Sequence, residues 1–76
     1  MHSINICLDT IDKVRNFVNI ISQQDGDFDL VSERYVIDAK SIMGIFSLDL
    51  SRPLRLDIQN ECDVENIKAA LADFIV

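Results

Sequence analysis

Along the chain, apolar side chains alternate with polar ones in some stretches and recur at three and four residues in others, and this change of period predicts the elements. Ile4, Ile6 and Leu8 alternate with Asn5 and Cys7, as a strand covered on one face requires, so the first strand is expected over residues 4–8. Asp9 and Thr10 are N-cap residue types, and Ile11, Val14, Phe17, Val18 and Ile21 follow at helical spacing. An amphipathic helix is expected there, ending in the polar run from Ser22 to Gly26, where the glycine supplies a stop. Phe28 and Leu30 flank Asp29, and after Ser32 to Arg34 the pattern resumes at Tyr35 and Ile37, which predicts a hairpin. Glu33 and Arg34 are not the Asn-Gly or Asp-Gly pair that a two-residue turn prefers.

Ser41 is placed to cap a short helix carrying Ile42, Met43, Ile45 and Phe46, with Gly44 inside it costing about 1 kcal/mol of helix propensity. Pro53 precedes Leu54, Leu56 and Ile58, which alternate with Arg55 and Asp57 as the last strand. Asp63 is expected to cap a final helix whose buried stripe is Val64, Ile67, Leu71 and either Phe74 or Ile75, with Glu65 near its positive end. The order is strand, helix, strand, strand, short helix, strand, helix. One apolar face per strand and one apolar stripe per helix are satisfied together by helices packed on one side of an antiparallel sheet, an α+β architecture.

Length and charge narrow the function. At 76 residues the chain is expected to form a single domain over 1–76. Thirteen acidic against 7 basic residues give a net charge of -6, which argues against nucleic acid and against an anionic membrane surface as partners. No apolar run reaches membrane-spanning length and no signal peptide pattern is present, so the expected compartment is the cytoplasm. Cys7 and Cys62 then read as reduced packing residues. Asp25, Asp27 and Asp29 begin like a calcium loop, but Leu30 stands where its glycine belongs and Val36 where its glutamate belongs. His2, Cys7 and Cys62 lack the paired spacing of a zinc site, so neither metal nor other cofactor is expected. His2, the one histidine, is expected near a chain end as a solvated residue, roughly 20 Å from the first helix.

The run Ala39, Lys40, Ser41, Ile42, Met43, Gly44, Ile45, Phe46, Ser47, Leu48 resembles the segment around the regulatory serine of HPr, the histidine-containing phosphocarrier of the bacterial sugar phosphotransferase system. Lys-Ser-Ile-Met-Gly matches without a gap, and the element order is also that of HPr. The resemblance covers nearly the whole chain and implies an open-faced β-sandwich, a four-stranded antiparallel sheet with three helices on one face.

In that family a histidine at the start of the first helix accepts a phosphoryl group from enzyme I. Here Thr10 matches the histidine and Asp12 the arginine that accompanies it. An imidazole offers a neutral nitrogen nucleophile near neutral pH, whereas a threonine hydroxyl needs a base. The expected role is therefore not that of an enzyme or a working phosphocarrier; the alternative is a phosphocarrier with a displaced acceptor.

The resemblance implies a partner-binding surface at Lys40, Ile42, Met43 and Phe46, with Ser41 a candidate for phosphorylation by an ATP-dependent kinase and docking on a regulator of carbon use. An N-cap hydroxyl favours an added phosphate by about 0.3 to 2 kcal/mol, although Ser41 read from physics alone simply caps its helix. On so short a helix Ile42, Met43 and Phe46 cannot all point inward, so part of this set is expected to be exposed; Phe46 either joins that ledge or turns into the core. The HPr arrangement also pairs the first and last strands, which places Cys7 too far from Cys62 for a disulfide.

Overall fold

The four alternating stretches pair into one sheet. In the computed structural model, which describes residues 2–59 and 64–76, β1 (His2–Ile6), β2 (Phe28–Ser32), β3 (Tyr35–Asp38) and β4 (Leu54–Ile58) are all antiparallel, in the order β1-β4-β2-β3. Three helices, α1 (Ile11–Ser22), α2 (Ile42–Phe46) and α3 (Val64–Ala70), cover one face. The α+β class, the element order and the open-faced sandwich are those expected from the sequence.

The register explains which face is covered. Ile4 lies opposite Leu56, Leu56 opposite Leu30, and Leu30 opposite Ile37, so one apolar row crosses all four strands. Ile58 beside Phe28 and Ile6 beside Leu54 continue that face. Val14, Phe17 and Ile21 of α1, Ile45 of α2 and Ile67 of α3 are buried against it, joined by Leu71 and Phe74 beyond α3. Phe74, not Ile75, completes the last stripe: its ring meets Phe17 edge-on at 6.0 Å and 83°.

The structure differs from expectation in the bounds of β1, in the residue that stops α1 and in the burial of Ile11. β1 occupies residues 2–6, not 4–8. Its pairing with β4 stops at Ile6 and Leu54; at the next residue the Cys7 N–H donates to the Phe74 carbonyl, on the side away from β4. Leu8 is still buried, but from the connection into α1. The end of α1 falls at Ser22 with Gln23 as its cap, while Gly26, at φ 108, turns the loop that leads into β2. Ile11 leaves the α1 stripe and is 61% exposed. At 3.6 residues per turn it sits roughly 90° around the helix from the centre of Val14, Phe17 and Ile21. The hairpin closes at Ser32 and Tyr35, and Glu33 adopts the left-handed φ of 53 that the unfavourable turn pair demands. Asp63 and Cys62 lie outside the described residues, and with them the expected cap and the distance between the cysteines; the Cys7 thiol is half-buried and free.

The uncovered face is polar, and one row of it is acidic. Ser3, Asp57, Asp29 and Asp38 stand side by side across the strands. Like charges in direct opposition are destabilising, so each carboxylate needs its own donor. Gln59 donates to Asp29, and the Lys40 N–H donates to Asp38 at 2.9 Å. Asp57, only 5% exposed, accepts from the Ser3 hydroxyl at 2.7 Å and from Arg55 Nε at 2.9 Å. Burial acts to raise the Asp57 pKa, but the Ser3 hydroxyl and the Arg55 guanidinium outweigh it and leave the carboxyl below its ordinary value of 3.8. A carboxylate lowered by folding stabilises the native state above its unfolded pKa, and that contribution is lost as pH falls through the lower folded value. Asp57→Asn is therefore expected to cost about 1 to 2 kcal/mol at neutral pH and to flatten the loss of stability below about pH 4, measured by urea denaturation across pH.

Candidate functional site

The sequence-selected residues lie on two helices, each started by a capping hydroxyl, that pack against one another. At the first, Thr10 has extended backbone angles and its Oγ1 accepts from the Lys13 N–H at 3.1 Å, while its carbonyl accepts from the Val14 N–H. Lys13 also reaches back to Asp9 at 2.9 Å. Hydrogen bonding and charge from Lys13 hold the Asp9 carboxyl below its usual value, and the same contact raises the lysine. Among the described residues no carboxylate or imidazole accepts the Thr10 hydroxyl proton. Asp12 stands exposed in the first turn, where the helix dipole favours an acid.

At the second, Ser41 is exposed and its Oγ accepts from the Gly44 N–H at 3.2 Å. The glycine has a local reason to be there. A Cβ at position 44 would stand 3.2 Å from the Ser41 Oγ and 3.3 Å from Ile37 Cδ1, so its absence lets the cap and β3 close on the helix. Ile42 is half-buried against the core and Ile45 fully buried. Met43 is 77% exposed and Phe46 41% exposed, so both face outward from α2. Ile11, at the start of α1, is exposed as well, and α1 and α2 are in contact.

Lys40 has a more specific position than the sequence indicates. Its ammonium donates to the carbonyls of Gln24 at 2.9 Å and Gly26 at 3.2 Å and lies 5.6 Å from the centre of the Phe28 ring. It ties the residue before the Ser41 cap to the loop after α1. Ile11, assigned by periodicity to the buried stripe, was legible as a rim position from its helical angle; the Lys40 clamp had no sequence signal, since its acceptors are backbone carbonyls. Lys40→Met, which keeps the stem and removes the ammonium, is expected to lower stability by about 1 to 2 kcal/mol and to speed amide exchange in the loop that follows α1, read by urea titration and hydrogen exchange.

His2 is exposed at the start of β1, opposite Ile58 and at the other end of that strand from α1. Among the described residues no three His, Cys, Asp or Glu side chains are grouped to hold a metal ion, and no helix is long and apolar enough to cross a membrane. The arrangement can present an exposed hydroxyl and an apolar ledge to another macromolecule.

No family model matches the chain, and no curated protein does. Among solved structures, the crystal structure of HPr-C-His from Thermoanaerobacter tengcongensis matches with a TM-score of 0.79 and 28% sequence identity, over 96% of this chain and 89% of that one. With strands, helices and register as described, the chain has the fold of the HPr phosphocarriers.

Proposed function

We propose that this chain is a non-catalytic HPr-like protein that binds partner proteins through the Ser41 helix region. The observation that carries the reading is the hydroxyl at the α1 start. Thr10 stands where the family places its phosphoryl-accepting histidine; its oxygen is engaged by the Lys13 N–H and no described base accepts its proton. A phosphothreonine is moreover a stable ester, ill suited to handing its phosphoryl group on. Asp12, where the family has an arginine, repels an incoming phosphate.

What remains of the family's machinery is a binding surface. Met43, Phe46 and Ile11 supply apolar contact, with Ile42 half-buried against the core, and the thioether of Met43 adapts to partner shape. Lys40 serves this surface by holding the Ser41 segment in place. Ser41 acts as its switch: a serine kinase adds phosphate to the exposed hydroxyl, and the product docks on a transcriptional regulator of carbon use. The reading takes residues 1–76 as one domain acting in the cytoplasm.

Two donors test it. Phosphoenolpyruvate with enzyme I is expected to leave the protein unlabelled, and ATP with the serine kinase to label Ser41 alone. Label from phosphoenolpyruvate would establish a displaced acceptor and overturn the proposal. Met43→Ala is expected to weaken partner capture about tenfold without loss of stability, since this side chain is exposed in the free protein.

A further inference from the structure

The two edges of the sheet are treated differently. Along β1, the C-terminal residues cover the end near Ile6: Ile75 bridges to Ile6, Cys7 N–H donates to Phe74 at 2.8 Å, and Val76 N–H donates to Asn5 at 3.1 Å. β3 forms the other edge, and among the described residues no strand lies against its outer side. Tyr35 and Val36 are both exposed on it. An uncovered edge is a template for another strand unless something blunts it.

The groups that point outward follow from antiparallel alternation. Ala39 N–H donates to the Phe28 carbonyl at 2.8 Å, so these two form a hydrogen-bonded pair. Counting back by twos, Ile37 and Tyr35 turn their backbone groups toward β2, and Val36 and Asp38 turn theirs away. The Asp38 carbonyl accepts from Ser41 N–H at 3.0 Å, in keeping with that direction. Val36 is left with an outward donor and an outward acceptor.

An incoming antiparallel strand bonds by setting outward residues against outward residues. For a second copy of this chain, three registers do so, with Val36 opposite Val36, Asp38 or Arg34. Val36 opposite Asp38 sets Arg34 at the copy's Lys40 and so gives it no acidic counterpart, and Val36 opposite Arg34 gives Asp38 no basic counterpart. Val36 opposite itself sets Arg34 of each copy against Asp38 of the other, twice, with Tyr35 beside Ile37. The surrounding charges agree with this choice. Glu33 with its partner Arg52, Arg34 and Asp38 are two acids and two bases, so this edge is neutral in a chain of net charge -6. Repulsion between copies is weak there.

We propose that β3 is a self-pairing site: two copies join antiparallel across a twofold axis at Val36, extending the sheet to eight strands and closing two Arg34–Asp38 ion pairs. The contact is far smaller than a standard interface of about 1,600 Å², so the dimer is weak and forms with rising concentration.

Sedimentation equilibrium of the full chain tests it, from about 10 μM to about 1 mM in ~0.15 M salt. A monomer–dimer equilibrium is expected. Val36→Pro removes the outward N–H without touching the ladder to β2, and is expected to give a folded monomer, with the fold checked by its amide spectrum. Arg34→Glu alone and Asp38→Lys alone each set like charges against one another twice and are expected to weaken the dimer about tenfold. Mixed in equal amounts, these two variants regain complementary pairs at both ends of the contact, and association is expected to return. A wild type that stays monomeric at the highest concentration would overturn self-pairing and leave the edge to a strand of another protein. So would a Val36→Pro variant that associates like the wild type, or a mixture no more associated than its components.

Discussion

Ile4, Leu56, Leu30 and Ile37 stand side by side across the sheet, and the placement of the rest of the chain follows from that row. A strand has a side-chain period of two, so a one-residue slip at any pairing would turn one strand's apolar set to solvent and its acids into the core. Burial of these side chains under three helices is the dominant favourable term available to so short a chain. The same register places Ser3, Asp57, Asp29 and Asp38 in a line on the opposite face. That line survives because Arg55, Ser3, Gln59 and the Lys40 N–H each supply a donor.

The contact between the two hydroxyl-capped helices is a consequence of how they meet the sheet. α1 begins at Thr10 and α2 at Ser41, thirty-one positions apart in sequence, yet the two helices are in contact. The segment between β3 and α2 is held from both sides. Ala39 bonds back to Phe28, and Lys40 spans to the carbonyls that end the loop after α1. Ser41 therefore projects its hydroxyl from a fixed position and not from a free loop. Gly44 completes the arrangement by admitting the Ser41 side chain and Ile37 to distances that a Cβ would crowd. Its cost in helix propensity is offset by the cap that its absence of a side chain permits.

Much of the fold was legible from local chemistry alone. Alternation at Phe28–Leu30 and at Leu54–Ile58 specified strands, and three-and-four spacing at Val14, Phe17 and Ile21 specified a helix, because each pattern puts apolar atoms on one side of a regular backbone. The run from Lys40 to Gly44, taken with the element order, was enough to anticipate the HPr-like fold that the solved structure shares. Thr10 and Ser41 were readable as caps because a short hydroxyl side chain satisfies a helix's first N–H groups wherever it occurs.

Where the sequence was ambiguous, long-range contacts decided. β1 pairs with β4 only as far as Ile6 and Leu54, and the next residue, Cys7, bonds to Phe74 near the other end of the sequence, a contact that no local window contains. Ile11 and Phe46 are exposed, and Phe74 instead of Ile75 is buried, since each outcome depends on which neighbour occupies the opposing surface. Lys40 is a clamp because two backbone carbonyls sixteen and fourteen positions earlier converge on its ammonium, and backbone groups carry no residue identity to read. Periodicity reports which atoms avoid water; only the assembled chain decides which atoms they meet, because those contacts join residues far apart in sequence.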